Sequence, residues 1–187
     1  MIKTTALFLS ALLCAVFAQA PSGKTVKGAA FPGVISRGGK ALLLNGAGVR
    51  TKVVFKVYAA GLYVEKRSGD AEELISSVQD KVMELAFLRS VDGPAVAEAM
   101  EQGFRKNSEE SLPSLKERLA KFRPLIPDLK KGDRILFAYS AGKSVSVEVN
   151  GQKRGEIEGK DFADALFRCW LGKAPADKEL KKGLLGE

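Results

Sequence analysis

Residues Asn45 to Val64 read NGAGVRTKVVFKVYAAGLYV, and this stretch decides the fold. From Val53 to Glu65 the chain is rich in Val, Phe and Tyr, the residues that pack best on a pleated surface, and it reads as the strongest strand in the sequence. The pair Gly46 and Gly48 ahead of it invites a dinucleotide-binding reading. That reading fails, because Thr51 holds the place of the third glycine and the segment continues as strand instead of opening a helix. Glycines inside a strand mark a bulge or a close backbone approach. Arg50 then stands between these glycines and an apolar strand, which raises the question of what its guanidinium meets.

Working outward, Ala29 to Ile35 and Lys40 to Val49 read as two strands joined by a turn at Arg37-Gly38-Gly39, and Pro21 to Lys27 as a polar, frayed lead. Asp70 is the N-cap of a short helix over Ala71 to Ser77, with Glu73 placed to close a capping box. Lys81 to Arg89 alternates as a strand. Asp92-Gly93-Pro94 opens a helix running to about Asn107, and another spans Ser111 to Phe122, stopped by Pro124 and Pro127. Asp133 to Ser140 is a strand. The alternating run beyond it folds back at Asn150-Gly151, the dipeptide that a type I′ hairpin demands. Asp161 to Leu171 and Ala176 to Leu184 close the chain as helices, with Gly172 the C′ residue between them. Hairpins, helices, a meander and more helices define an α+β fold with a largely antiparallel sheet, whose core, and any apolar ligand, lies between the layers.

The first twenty residues stand apart. Lys3, an apolar run from Thr4 to Phe17, and Ala18-Gln19-Ala20 have the form of a secretory signal peptide over residues 1–20. The run is too short for a spanning helix, and Cys14 lacks the small preceding residue of a lipoprotein signal, so no stable membrane anchor is expected. The expected mature protein, residues 21–187, is a single domain that is periplasmic or secreted. It retains Cys169 alone and must hold together by packing. The net charge of +8 is spread along the chain and mixed with acids, without the clustered basic face that nucleic acid requires. The chain has no histidine, which removes Ser-His-Asp and Cys-His machinery and, with so few cysteines, the usual zinc constellations. Chemistry here must use Arg, Lys, Tyr, carboxylates or backbone groups; no cofactor or metal is implied.

For Arg50 two readings stand: a solvent-facing residue paired with an acid, or a cation inside a cavity whose planar fork grips a carboxylate or polarises a carbonyl. Counting in twos puts it on the face of Leu42 and Leu44, unless a bulge at Gly46 to Gly48 switches it.

The segments GAGVR and VYAAGLYV, then FLRSVDGP opening a helix, and LFRCWLG before PADKELKKGLLG, resemble in order and spacing the chalcone isomerase superfamily, especially its bacterial chalcone isomerase-like branch. The resemblance covers roughly Ala29 to Gly186. It implies an open-faced β-sandwich, a curved antiparallel sheet with helices packed on one face and a ligand cleft between. In plant chalcone isomerases, which cyclise a chalcone to a flavanone, an arginine in a GxGxR segment stabilises developing negative charge; Arg50 matches it. The rest of that polar set does not carry over. Val96 stands where the enzymes have tyrosine, Gly103 where they have asparagine, Phe87 in place of a lysine, Tyr58 in place of a threonine, and Cys169 in place of a serine or threonine.

An arginine in an otherwise apolar cleft suits an apolar acid better than a cyclisation. The superfamily includes fatty-acid-binding members that keep the arginine, and non-catalytic binding of a fatty-acid-like carboxylate is the function expected. Arg50 and Tyr58 would meet the head group, with Phe87, Val96, Gly103 and Cys169 along the cleft. The alternative is an isomerase, an intramolecular lyase acting on an unknown enone-like substrate, with Arg50 as the electrophilic stabiliser and Tyr58 as a proton donor. A third is an interaction protein with a filled core. Arg89 reads as a structural ion pair, Cys169 as a packed thiol that no histidine can activate, and Trp170 as core or cleft wall. The oligomeric state stays open.

Overall fold

The computed structural model describes residues 22–187; the signal-peptide reading, Cys14 included, lies outside the described residues. The chain begins with a hairpin of β1 (Lys24–Val26) and β2 (Ala29–Phe31), turning through Lys27 and Gly28, both at positive φ. Of the frayed lead expected over Pro21 to Lys27, Pro21 lies outside the described residues and the remainder is corrected, because Lys24 to Val26 pair with β2, whose Ala29 and Phe31 are buried. The single strand expected from Ala29 to Ile35 is likewise two, broken at Pro32-Gly33, where proline has no N–H to give to a ladder.

Seven strands follow in one meander: β3 (Val34–Arg37), β4 (Lys40–Lys52), β5 (Phe55–Val64), β6 (Lys81–Phe87), β7 (Arg134–Ser140), β8 (Ser144–Val149) and β9 (Gln152–Glu158). Each is antiparallel to the next and the order in the sheet is the order in the chain. Helix α1 (Ala71–Ser76) lies between β5 and β6, α2 (Gly93–Asn107) and α3 (Leu112–Phe122) between β6 and β7, and α4 (Lys160–Leu171) and α5 (Lys178–Leu185) after β9. Asn150 and Gly151 both have positive φ, as a type I′ turn requires.

Three helix ends differ from expectation. Asp70 accepts from the N–H groups of Glu72 and Glu73, but Glu73 does not close a capping box; Ser68 Oγ accepts the Asp70 N–H and donates to the Glu73 carboxylate. Asp92 makes no side-chain cap on α2, whose Gly93 N–H goes instead to Asp128 at 2.8 Å. Gly172 ends α4 at an ordinary negative φ, and a side chain there would strike Asn107 Oδ1; the left-handed cap belongs to Gly186 after α5.

The sheet buries both faces. On one, Leu62, Met83, Leu85, Phe137 and Val147 meet Phe104, Phe162, Leu166, Trp170 and Leu184 of the helices. On the other, the β1–β2 hairpin covers Leu42, Leu44, Ala59, Tyr63, Val82 and Ala138. Double coverage explains why all seven residues of β6 are buried, without alternation. Arg37 of β3 forms an ion pair with Glu148 of β8. In a flat sheet those strands would lie roughly 24 Å apart, five steps of about 4.8 Å, so the contact requires the sheet to curl into a half-barrel. The expected α+β fold, a curved antiparallel sheet with helices packed on one face, is the fold observed.

The glycines ahead of Arg50 seat α5 on β4. A Cβ at Gly46 would lie 2.2 Å from Gly183 O and 2.7 Å from Leu184 O, and one at Gly48 would lie 3.1 Å from Leu180 Cδ1. At Gly46 backbone meets backbone, with no flexible side chain to yield. Gly46→Ala is therefore expected to lower stability by about 1–3 kcal/mol, the usual cost of overpacking, read from the urea unfolding midpoint.

Candidate functional site

Leu44 pairs with Tyr63 and Gly46 with Leu62, which leaves Asn45 as an extra residue in β4. This bulge reverses the pleat, so the count in twos from Leu42 and Leu44 fails: those leucines face the β1–β2 hairpin, whereas Gly46, Gly48 and Arg50 turn toward the helices. Asn45 fixes the bulge. Its side-chain amide donates to Ser68 O at 3.0 Å and Leu184 O at 2.8 Å, and its Oδ1 accepts the Ser68 N–H at 2.8 Å. In β5 a second extra residue, Val57, lies between the pairs Arg50–Tyr58 and Thr51–Lys56, and Val57 and Tyr58 both line the same space.

That space is a cavity of about 550 Å³ between this end of the sheet, α2 and the connection from α4 to α5. Its walls include Val57, Tyr58, Phe87, Val96, Met100 and Trp170, and its charged lining is Arg50, Lys52, Arg89 and Lys106 against the single carboxylate of Asp92. All six residues singled out from the sequence, Arg50, Tyr58, Phe87, Val96, Gly103 and Cys169, fall on it. Of the two readings of Arg50, the residue lines the cavity, through the bulge and not through simple parity.

Arg50 is half-buried, and among the described residues it has no carboxylate within ion-pair distance. Its Nε is buried without a hydrogen-bond partner, and its guanidinium carbon lies 5.7 Å from the centre of the Tyr58 ring. Tyr58 is buried, and its hydroxyl accepts from Trp170 Nε1 at 2.9 Å while its own proton has no acceptor among the described residues. Burial pushes the Tyr58 phenol up to about 12, against the opposing pull of Arg50. At neutral pH it is a hydrogen-bond donor beside a free cation.

Gly103 and Cys169 fit each other. A Cβ at Gly103 would lie 2.7 Å from Cys169 Sγ, so glycine in α2 makes room for the thiol of α4. The thiol is set against the carbonyls of Met100 at 3.6 Å and Ala165 at 3.7 Å, and burial pushes its pKa upward, which makes it a packed group and not a nucleophile. Trp170, buried at the cavity wall, is both core and lining.

Arg89 corrects the sequence reading. It joins no ion pair among the described residues; its guanidinium stacks over the Phe55 ring, 4.7 Å from the centre, at the cavity mouth. Lys52, Met100 and Lys106 were not anticipated as lining. Met100 shares the helical stripe of Val96 and Gly103, at a spacing that could have flagged it.

A curled antiparallel sheet, a helical layer on one face and a cavity held open at one end define the class of this protein. The family model described as chalcone isomerase-like matches residues 23–186, and the chain belongs to that family. Among solved structures an Arabidopsis thaliana fatty-acid binding protein is similar, with a TM-score of 0.69 and 18% identity over 84% of this chain and 92% of that chain. At that identity the likeness is one of fold. No curated protein matches the chain.

Gly103→Ala should destabilise the protein by about 1–3 kcal/mol through overpacking. Combination with Cys169→Ala should return part of that loss, a coupling of at least about 0.5 kcal/mol between touching residues, measured by a double-mutant cycle in urea. Cys169 in the folded protein should also resist iodoacetamide at pH 8 and react only on unfolding.

Proposed function

We propose that this protein binds, without catalysis, an apolar molecule carrying one carboxylate, of the fatty-acid kind, with the carboxylate on Arg50 and the chain along the cavity. The observation that carries this reading is the uncompensated guanidinium. A buried or half-buried cation costs desolvation energy, and proteins ordinarily pair it; here the Nε faces no partner while the surrounding walls are apolar. A ligand carboxylate would accept from Arg50 in a bidentate fork and from the Tyr58 hydroxyl. The volume falls within the roughly 300–1,000 Å³ typical of small-molecule sites. The similar Arabidopsis protein, a fatty-acid binding protein, supports the ligand class.

The isomerase alternative needs groups that move protons and orient a ketone. Tyr58 holds its proton to about 12. Phe87 and Val96 present hydrocarbon to the cavity, in positions where the resemblance to the plant enzymes implies polar groups. On the signal-peptide reading of residues 1–20, we propose that the protein works outside the cytoplasm.

Native mass spectrometry of the protein as purified should show a bound acid that Arg50→Met lacks. In titrations with palmitate the variant should bind about 30- to 150-fold more weakly, the equivalent of about 2–3 kcal/mol for a hydrogen bond between charged groups. Palmitate bound equally by both proteins would overturn the reading, as would turnover of a chalcone by the wild type that Arg50→Met abolishes.

Ligand-free Arg50→Met should unfold at or above the wild-type temperature, because the arginine has no partner to lose; a clear drop would mark Arg50 as structural. Palmitate affinity should hold steady from about pH 6 to 9, since the Tyr58 phenol keeps its proton up to about 12, and fall below about pH 5 as a carboxylate ligand is protonated.

A further inference from the structure

The apolar lining of the cavity continues past its mouth. Val53 and Phe55 line it from the turn between β4 and β5, and with Val54 they form three consecutive large apolar residues that are 89%, 57% and, for Val54, 75% exposed. The fold does not need them there. Val53 sits at φ +59, in the left-handed region that a β-branched residue tolerates poorly, at a hairpin position normally given to glycine or asparagine. The turn keeps an outward-facing valine against both solvent and backbone preference. Strain of this kind collects at functional segments.

Cations surround the tip. Lys52 pairs with Phe55 across the hairpin, Arg89 covers the Phe55 ring, and Lys106 lines the same mouth. Lys56 lies against Lys27 of the β1–β2 turn, close enough that the Lys27 ammonium holds the Lys56 pKa below the ordinary lysine value. None of these five forms an ion pair among the described residues. The nearby carboxylates are Asp92 at the mouth and Asp177, which is engaged by the N–H groups of Thr51, Glu179 and Leu180.

We propose that the β4–β5 hairpin tip docks on a bilayer containing anionic phospholipid. Val53, Val54 and Phe55 enter the boundary between headgroups and acyl chains, and Lys27, Lys52, Lys56 and Arg89 meet the phosphates. Neither signal suffices alone; a small apolar wedge and a few basic residues together give reversible surface binding. Separate flexible lysines around a convex apolar point suit many independent phosphates better than one shaped protein partner. The contact is peripheral, since no helix among the described residues is long and apolar enough to cross a membrane. Docking in this pose sets the cavity mouth against the lipid, so that an apolar acid passes between bilayer and cavity without crossing water. The purpose of docking rests on the carrier reading; the docking itself does not.

The test is co-sedimentation of ligand-free protein with vesicles of phosphatidylcholine alone or mixed with phosphatidylglycerol. Wild type should sediment with the mixed vesicles and stay in solution with the neutral ones. Val54→Glu and the pair Lys27→Glu/Lys56→Glu should each reduce partitioning at least about tenfold, with unfolding midpoints unchanged. Wild type left in the supernatant with mixed vesicles would overturn the proposal, and so would variants that sediment like wild type, the result expected if the tip serves a protein partner. Palmitate titration without vesicles separates the two readings. Sedimentation without palmitate binding supports docking and removes the carrier; palmitate binding without sedimentation does the reverse.

Discussion

The bulge at Asn45 reverses the inside and outside of β4 halfway along its length. Before it, Leu42 and Leu44 serve the core under the amino-terminal hairpin; after it, the strand presents Gly46, Gly48 and Arg50 to the helical layer. Three hydrogen bonds from one asparagine side chain tie the extra residue to Ser68 and to the carboxyl end of α5. The same two glycines that follow it let α5 lie directly on the strand, and the capping residue of α5, Asp177, returns a carboxylate to the Thr51 N–H. Placement of the arginine and seating of the last helix are therefore one structural event. Without the bulge Arg50 would fall on the opposite face of the sheet.

A free cation facing hydrocarbon is unfavourable in isolation, and the fold tolerates it because the rest of the helix-covered face is well packed. Phe104, Phe122, Phe137, Phe162 and Trp170 form a contiguous set of tilted and edge-on ring contacts beside the cavity, and Gly103 and Cys169 lock α2 to α4 at its border. Trp170 joins the two roles, packing on Phe137 while its indole N–H fixes the Tyr58 hydroxyl. The hydroxyl proton is left without an acceptor among the described residues. On the proposed reading, a donor and a cation already in place would lose little entropy on meeting a carboxylate, which is how preorganised sites gain affinity.

The amino-acid sequence alone determined much of this. Periodicity and turn chemistry placed the helices after Asp70 and Asp92, the Asn150-Gly151 hairpin and the antiparallel character of the sheet, because those signals are local and come from steric and hydrogen-bonding preferences of a few neighbouring residues. Absence of histidine excluded whole classes of chemistry by composition. The resemblance carried by GAGVR and its companion segments singled out six residues that all fall on one cavity. What only the tertiary structure decided depends on distant partners. The bulge at Asn45 is stabilised by Ser68 and Leu184, Gly93 is capped by Asp128, Arg89 rests on Phe55 instead of an acid, and the amino-terminal segment is ordered by a hairpin packed on the far face of the sheet. A strand's pleat reads identically in sequence with or without one extra residue. Only the contacts that hold that residue in place decide which way Arg50 points.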